Sequence, residues 1–194
     1  EDACQRAQAV DRDSTAVSVA LGNLYRASGQ FAPAQREFNR ALAVQSTAVD
    51  AYLGLAETYQ AQGKRALAEQ TFAQAIELEP SNWAASMAMG KFLLNVGRLD
   101  ESIRYFERID DLMPESSAAA NNLGSAYFLT GRFEDAAAAW QKALGAQPMA
   151  TVYANLGSSY FFLCRFDDAA GTYKQALEMA PESFENWGNL ADAY

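Results

Sequence analysis

The sequence predicts an all-α chain built as a tandem array of antiparallel helix pairs. Three observations predict it. A segment of the form Leu–small–x–x–Tyr recurs every 33 or 34 residues, a second set of small and aromatic residues recurs in step with it, and glycines and prolines punctuate both at fixed offsets. Self-similarity at such a period marks a stacked-repeat architecture, in which each unit buries its apolar face only against its neighbours.

The first marker is Leu21-Gly22-Asn23-Leu24-Tyr25. It returns at Leu55-Ala56-Glu57-Thr58-Tyr59, Met89-Gly90-Lys91-Phe92-Leu93 and Leu123-Gly124-Ser125-Ala126-Tyr127. It recurs again at Leu156-Gly157-Ser158-Ser159-Tyr160 and Leu190-Ala191-Asp192-Ala193-Tyr194, so the leading residues lie 34, 34, 34, 33 and 34 apart. The second marker is Ala34, Phe38 and Ala41, matched by Ala68, Phe72 and Ala75, by Ser102, Phe106 and Ile109, by Ala136, Trp140 and Ala143, and by Ala169, Tyr173 and Ala176.

These markers divide the chain into units 15–48, 49–82, 83–116, 117–149 and 150–183, with residues 184–194 as the first helix of a sixth. Residues 1–14 read as the second helix of an earlier, truncated unit, because Ala7-Gln8-Ala9-Val10-Asp11 matches Ala75-Ile76-Glu77-Leu78-Glu79. The chain is therefore expected to be a piece of a longer protein. Natural arrays end in polar capping helices, and uncapped ends would favour end-to-end self-association.

Each unit carries two apolar stripes at helical spacing, which makes it a pair of amphipathic helices. The small residues let the paired helices approach, and the aromatic ones fill the space beside them. Gly29, Gly63, Gly97 and Gly131 are expected to end the first helices in a left-handed cap, a conformation that suits a residue without Cβ. Pro80, Pro114, Pro148 and Pro181 stop the second helices, with Ser46 in that place in the first unit. Cys164 stands where the fifth unit needs its glycine, and reads as a tolerated turn residue rather than a reactive thiol, since only Arg165 beside it is basic.

Composition narrows the function classes. A formal charge of -9 opposes nucleic-acid binding, which needs a basic stripe, and fits basic or neutral partners. No apolar run approaches the roughly 20 residues of a membrane-spanning helix. Cys4 and Cys164 are far apart, which suggests free thiols and slightly favours a cytoplasmic over a periplasmic setting. With no histidine and two distant cysteines, no metal site, no cofactor and no catalytic residue is expected. Acidic pairs such as Asp110-Asp111 read as solvated charge, and Glu134-Asp135 and Asp167-Asp168 sit where second helices begin, at the positive end of the helix dipole.

The recurring markers resemble the tetratricopeptide repeat family across essentially the whole chain. The resemblance implies a right-handed superhelical solenoid whose first helices line a concave groove, and a scaffold that binds a protein or peptide there rather than an enzyme. It also places the residue before each marker leucine, and the two after each marker tyrosine, in that groove. The first set is Ala20, Gly54, Ala88, Asn122, Asn155 and Asn189, so the last three units carry an asparagine at one position. An amide both donates and accepts, so such a row can pair with an extended backbone of any sequence. This is similar to the asparagine ladder in the repeats of O-GlcNAc transferase.

The second set runs from polar Arg26 and Gln60 to apolar Phe128, Leu129, Phe161 and Phe162, a candidate pocket for an anchor side chain. Packing between helices is the competing role for these aromatics. The clamp with which some family members grip chaperone tails is disfavoured, because Val19 and Asn121 stand where its first lysine belongs and Gly54 stands at an asparagine position. The closing stretch Asn186–Tyr194 is similar to repeats attached to bacterial signalling proteins. A regulatory segment of such a signalling enzyme or transcription regulator is therefore a further alternative, beside self-association.

Overall fold

The computed structural model describes residues 14–194, so Cys4 and the Ala7–Asp11 match lie outside the described residues. The described residues form eleven helices: α1 (Thr15–Ala27), α2 (Phe31–Val44), α3 (Val49–Ala61), α4 (Arg65–Leu78), α5 (Trp83–Asn95), α6 (Leu99–Leu112), α7 (Ser117–Leu129), α8 (Phe133–Ala146), α9 (Ala150–Phe162), α10 (Phe166–Met179) and α11 (Phe184–Asp192). They fall into two compact bodies that meet within α5, one ending at Phe92 and the other beginning at Leu93.

In the first body α1 packs on α2, α2 on α3 and α3 on α4. Its core is organised around Phe38, fully buried with Ala34 and Leu55 and bordered by Val19, Tyr25, Leu42 and Tyr59. A Cβ placed on Gly22 would lie 2.6 Å from the Phe38 ring, and one on Gly54 would lie closer still. One ring thus fills the space left by glycines of two successive units. Phe72 and Phe92 pack on each other at 5.7 Å between ring centres.

The second body repeats the scheme with other aromatics. Trp140 lies over Gly124, where an added Cβ would come within 2.7 Å of Nε1, and Tyr173 lies over Gly157 at the same 2.7 Å. The indole N–H of Trp140 donates to the Asn121 carbonyl at 3.2 Å and to its side-chain oxygen at 3.1 Å. The buried polar edge of the larger ring is thereby satisfied.

The turn inside each pair is a Schellman motif. Arg132 N–H bonds to the Tyr127 carbonyl at 2.9 Å and Gly131 N–H to the Phe128 carbonyl at 3.0 Å, with Gly131 at φ 76°. Cys164 keeps both bonds, to Phe161 from its own N–H and to Tyr160 from Arg165, at φ 57°. Left-handed backbone costs an L-residue with a Cβ about 1–2 kcal/mol. Cys164→Gly is therefore expected to stabilise the protein by about 1 kcal/mol, less than the full strain because glycine loses more chain entropy on folding. A urea midpoint that does not rise would show that this turn holds no strain.

The second helices α6, α8 and α10 each open on a charged pair one turn apart. Arg98 bonds Glu101 at 2.6 Å, Arg132 bonds Asp135 at 2.7 Å and Arg165 bonds Asp168 at 2.7 Å. Two of these arginines also lie over the marker tyrosines, Arg132 at 4.2 Å from the Tyr127 ring centre and Arg165 at 4.4 Å from that of Tyr160. At the far end, Pro80, Pro114, Pro148 and Pro181 each follow the last helical residue by two places.

Candidate functional site

The three asparagines occupy one register on α7, α9 and α11, and all are half-buried. Their environments differ. Asn122 donates its amide to the Ala118 carbonyl of its own helix at 2.7 Å. Asn155 borders a concavity of about 190 Å³ between α9 and α11, together with Thr151, Ser183, Glu185 and Asn186. Ala150, Ala154 and Ala180 complete the lining, so small apolar and polar side chains alternate around it. Asn189 lies one helix further along, beside buried Leu190.

The four apolar residues sit at the C-terminal ends of α7 and α9. Leu129 and Phe162 are 60% and 56% exposed. Phe128 is half-buried, 5.7 Å from the Trp140 ring centre and 5.3 Å from that of Phe133. Phe161 packs edge-on against Phe166 at 5.5 Å. The competing role holds in part for these two: Phe128 and Phe161 are fastened to the second helix of their own pair, while Leu129 and Phe162 present most of their surface to solvent.

Two aromatics join this group that the sequence analysis did not single out. Phe133 opens α8 and stacks on Phe162 at 4.8 Å with rings 13° from parallel, and Phe166 opens α10. Phe128 also meets Phe162 edge-on at 5.4 Å. The sequence signal was available, because Gly131-Arg132-Phe133 and Cys164-Arg165-Phe166 are the same tripeptide place in successive units.

Marker tyrosines tie one unit to the next in this body. The Tyr127 hydroxyl donates to Glu107 of α6 at 2.7 Å, and Gln141 of α8 donates to the Tyr160 hydroxyl at 2.6 Å. One unit on, the Lys174 ammonium lies 5.3 Å from the Tyr194 ring centre. Burial, reinforced by the bond to Glu107, pushes the Tyr127 phenol up to about 12, so the ring is neutral at any ordinary pH. Tyr173 is also raised, chiefly by burial.

The corresponding surface of the first body is polar. Arg26 bonds Glu57 at 3.0 Å between α1 and α3. A larger concavity, about 570 Å³, is bordered by Val19, Asn23, Asp50 and Glu79. Among the described residues there is no group of three histidines, cysteines or carboxylates able to hold a metal ion, and no helix long and apolar enough to cross a membrane.

Residues 115–182 and 53–112 match family models described as tetratricopeptide repeat, and residues 22–63 match one described as TPR repeat. No curated protein matches the sequence. Among solved structures the chain is similar to YrrB, described as a TPR protein with an unusual peptide-binding site, at 18% identity and TM-score 0.73 over 96% of each chain. It is similar to residues 41 to the end of MamA from Desulfovibrio magneticus at 20% identity and TM-score 0.74, covering 88% of this chain and 97% of that one. It is also similar to pilF of Pseudomonas aeruginosa at 19% identity and TM-score 0.78, covering 92% and 88%. At these identities the likeness is one of fold.

Proposed function

The chain belongs to the tetratricopeptide repeat family, whose arrays are protein–protein interaction scaffolds, and from that premise we propose that it binds an extended peptide segment along α7, α9 and α11. The observation that carries this reading is the pairing, in the same units, of half-buried asparagines with the uncovered apolar side chains of Leu129 and Phe162. Amides give sequence-tolerant bonds to a peptide backbone, and the apolar ends supply an anchor point for one side chain. The description of YrrB as a peptide binder with the same fold supports it.

The residues contribute unequally. Asn155, at the open concavity, is the central backbone contact, with Asn189 at the same register of the next first helix. Asn122 has its amide committed to Ala118 and contributes less. Leu129 and Phe162 form the anchor, with Phe128 and Phe161 as its floor.

A peptide array probed with the parent protein and two double variants tests this. Asn155→Ala/Asn189→Ala and Leu129→Ala/Phe162→Ala are each expected to weaken the best peptide at least tenfold, about 1.4 kcal/mol. Circular dichroism should show both still folded, because neither pair removes a core side chain. A peptide that binds the parent and both variants alike places its site elsewhere and overturns the reading.

A further inference from the structure

The aromatic surface does not stop where the first helices end. Phe162 continues onto Phe133, and Phe161 onto Phe166, so the rings pass from α7 and α9 onto the N-termini of α8 and α10. This places an apolar strip along the turns that join the helices of units 4 and 5, outside the row of asparagines. Phe162 and Phe166 are 56% and 45% exposed. A contiguous run of exposed rings of this kind marks a surface that becomes covered.

The charges beside the strip say what covers it. Arg132 and Arg165 are each neutralised by a carboxylate one turn on, Asp135 and Asp168. Each arginine is further held over a tyrosine ring. Glu134 and Asp167, next in sequence to the two phenylalanines, are exposed and have no ion pair among the described residues. The strip is therefore apolar along its middle and negative beside each ring. A second copy of this chain, at a formal charge of -9, is repelled from such a surface.

We propose that the turns of units 4 and 5 form a second docking edge, distinct from the asparagine row, that receives a cationic amphipathic helix of a partner protein. The helix lays its apolar stripe across Phe133, Phe162 and Phe166. Its flanking lysines or arginines meet Glu134 and Asp167. Helix docking reads anchors at three- and four-residue spacing, whereas the asparagine row takes an extended backbone, so the two surfaces select different conformations of partner. The two surfaces share Phe162, so a helix on this edge and a peptide side chain anchored on that ring exclude each other.

A synthetic 18-residue helix with leucines on one face and lysines on the other serves as the probe, with a leucine–glutamate helix as its counterpart. Titration calorimetry is expected to show saturable binding of the lysine helix only. Phe133→Ala/Phe166→Ala and Glu134→Lys/Asp167→Lys should each weaken it at least tenfold. A control reversal, Glu77→Lys/Asp111→Lys, applies the same net charge change away from the strip and should leave affinity within about twofold.

Equal losses from the control and the strip reversals would reduce the effect to general charge attraction and overturn the proposal. Binding of the glutamate helix, or no binding of the lysine helix, would overturn it as well. Asn155→Ala/Asn189→Ala should leave the helix probe unaffected. If that variant alone loses it, the asparagine row is the site and the edge is not. Loss of array peptides with retention of the helix probe would separate the two surfaces in the other direction.

Discussion

Trp140→Ala is expected to destabilise the second body by about 3–5 kcal/mol, the largest effect of any single truncation considered. The side chain is only 2% exposed and fills the space above Gly124, which has no Cβ to take its place. Its removal leaves a cavity between α7 and α8 and strips Phe128 of a ring neighbour at 5.7 Å. It also leaves the Asn121 oxygens without their indole donor. In a repeat array such damage acts mainly on the unit that suffers it and on its neighbours, so one unfolding midpoint understates it. Amide hydrogen exchange is the better measurement: protection should fall in α7 to α9 and persist in α1 and α2. Trp140→Phe should cost less than half as much, because Phe38, Phe72 and Phe106 hold the same place in the first three units. A Trp140→Ala protein within 1 kcal/mol of the parent would show that the ring is not what spaces these helices.

Gly54→Ala is expected to cost about 1–3 kcal/mol, although alanine is the better helix former by roughly 1 kcal/mol. The added methyl would collide with the end of the Phe38 ring, which is fully buried and lies against Gly22 on its other contact, so any shift of the ring disturbs that packing. The sign should change when the ring shrinks. In a Phe38→Leu background the methyl has room, and Gly54→Ala should become neutral or stabilising. The double-mutant cycle should therefore show a coupling of at least 1 kcal/mol. Additive effects would mean that the contact between the successive units does not set the choice of glycine.

Phe38 also illustrates what was legible in the sequence. The aromatic place in the second marker and the small place in the first recur in register, and the structure brings Phe38 over Gly22 and Gly54, Trp140 over Gly124 and Tyr173 over Gly157. The left-handed turns were legible for the same reason. Even Cys164, the one non-glycine, holds the backbone its position requires, because its Schellman bonds to Tyr160 and Phe161 come from backbone atoms.

The candidate site was legible only by position. Asn122, Asn155 and Asn189 are equivalent in the sequence and unequal in space, since Asn122 closes a bond to Ala118 while Asn155 borders open space. An i to i−4 side-chain bond competes with any external partner, and nothing in the local sequence distinguishes the two cases. Likewise Phe128, Leu129, Phe161 and Phe162 form one group in the sequence, yet Phe128 and Phe161 pack on aromatics of the following helix while Leu129 and Phe162 are exposed. Phe133 and Phe166 complete the strip from other helices, so a search along the first helices alone passes over them.

The sequence by itself determined the all-α class, the helix-pair period, the turns and the identity of the core places. Each depends on backbone preference and on contacts within one repeat length, and a periodic sequence states these several times over. Tertiary structure alone decided which equivalent residues face solvent, which of them satisfy each other, and where apolar surface from different helices runs together. Those outcomes depend on the side chains that neighbouring units happen to present, such as Glu107 to Tyr127 or Phe133 to Phe162, and such neighbours lie about 20–30 residues apart in the chain.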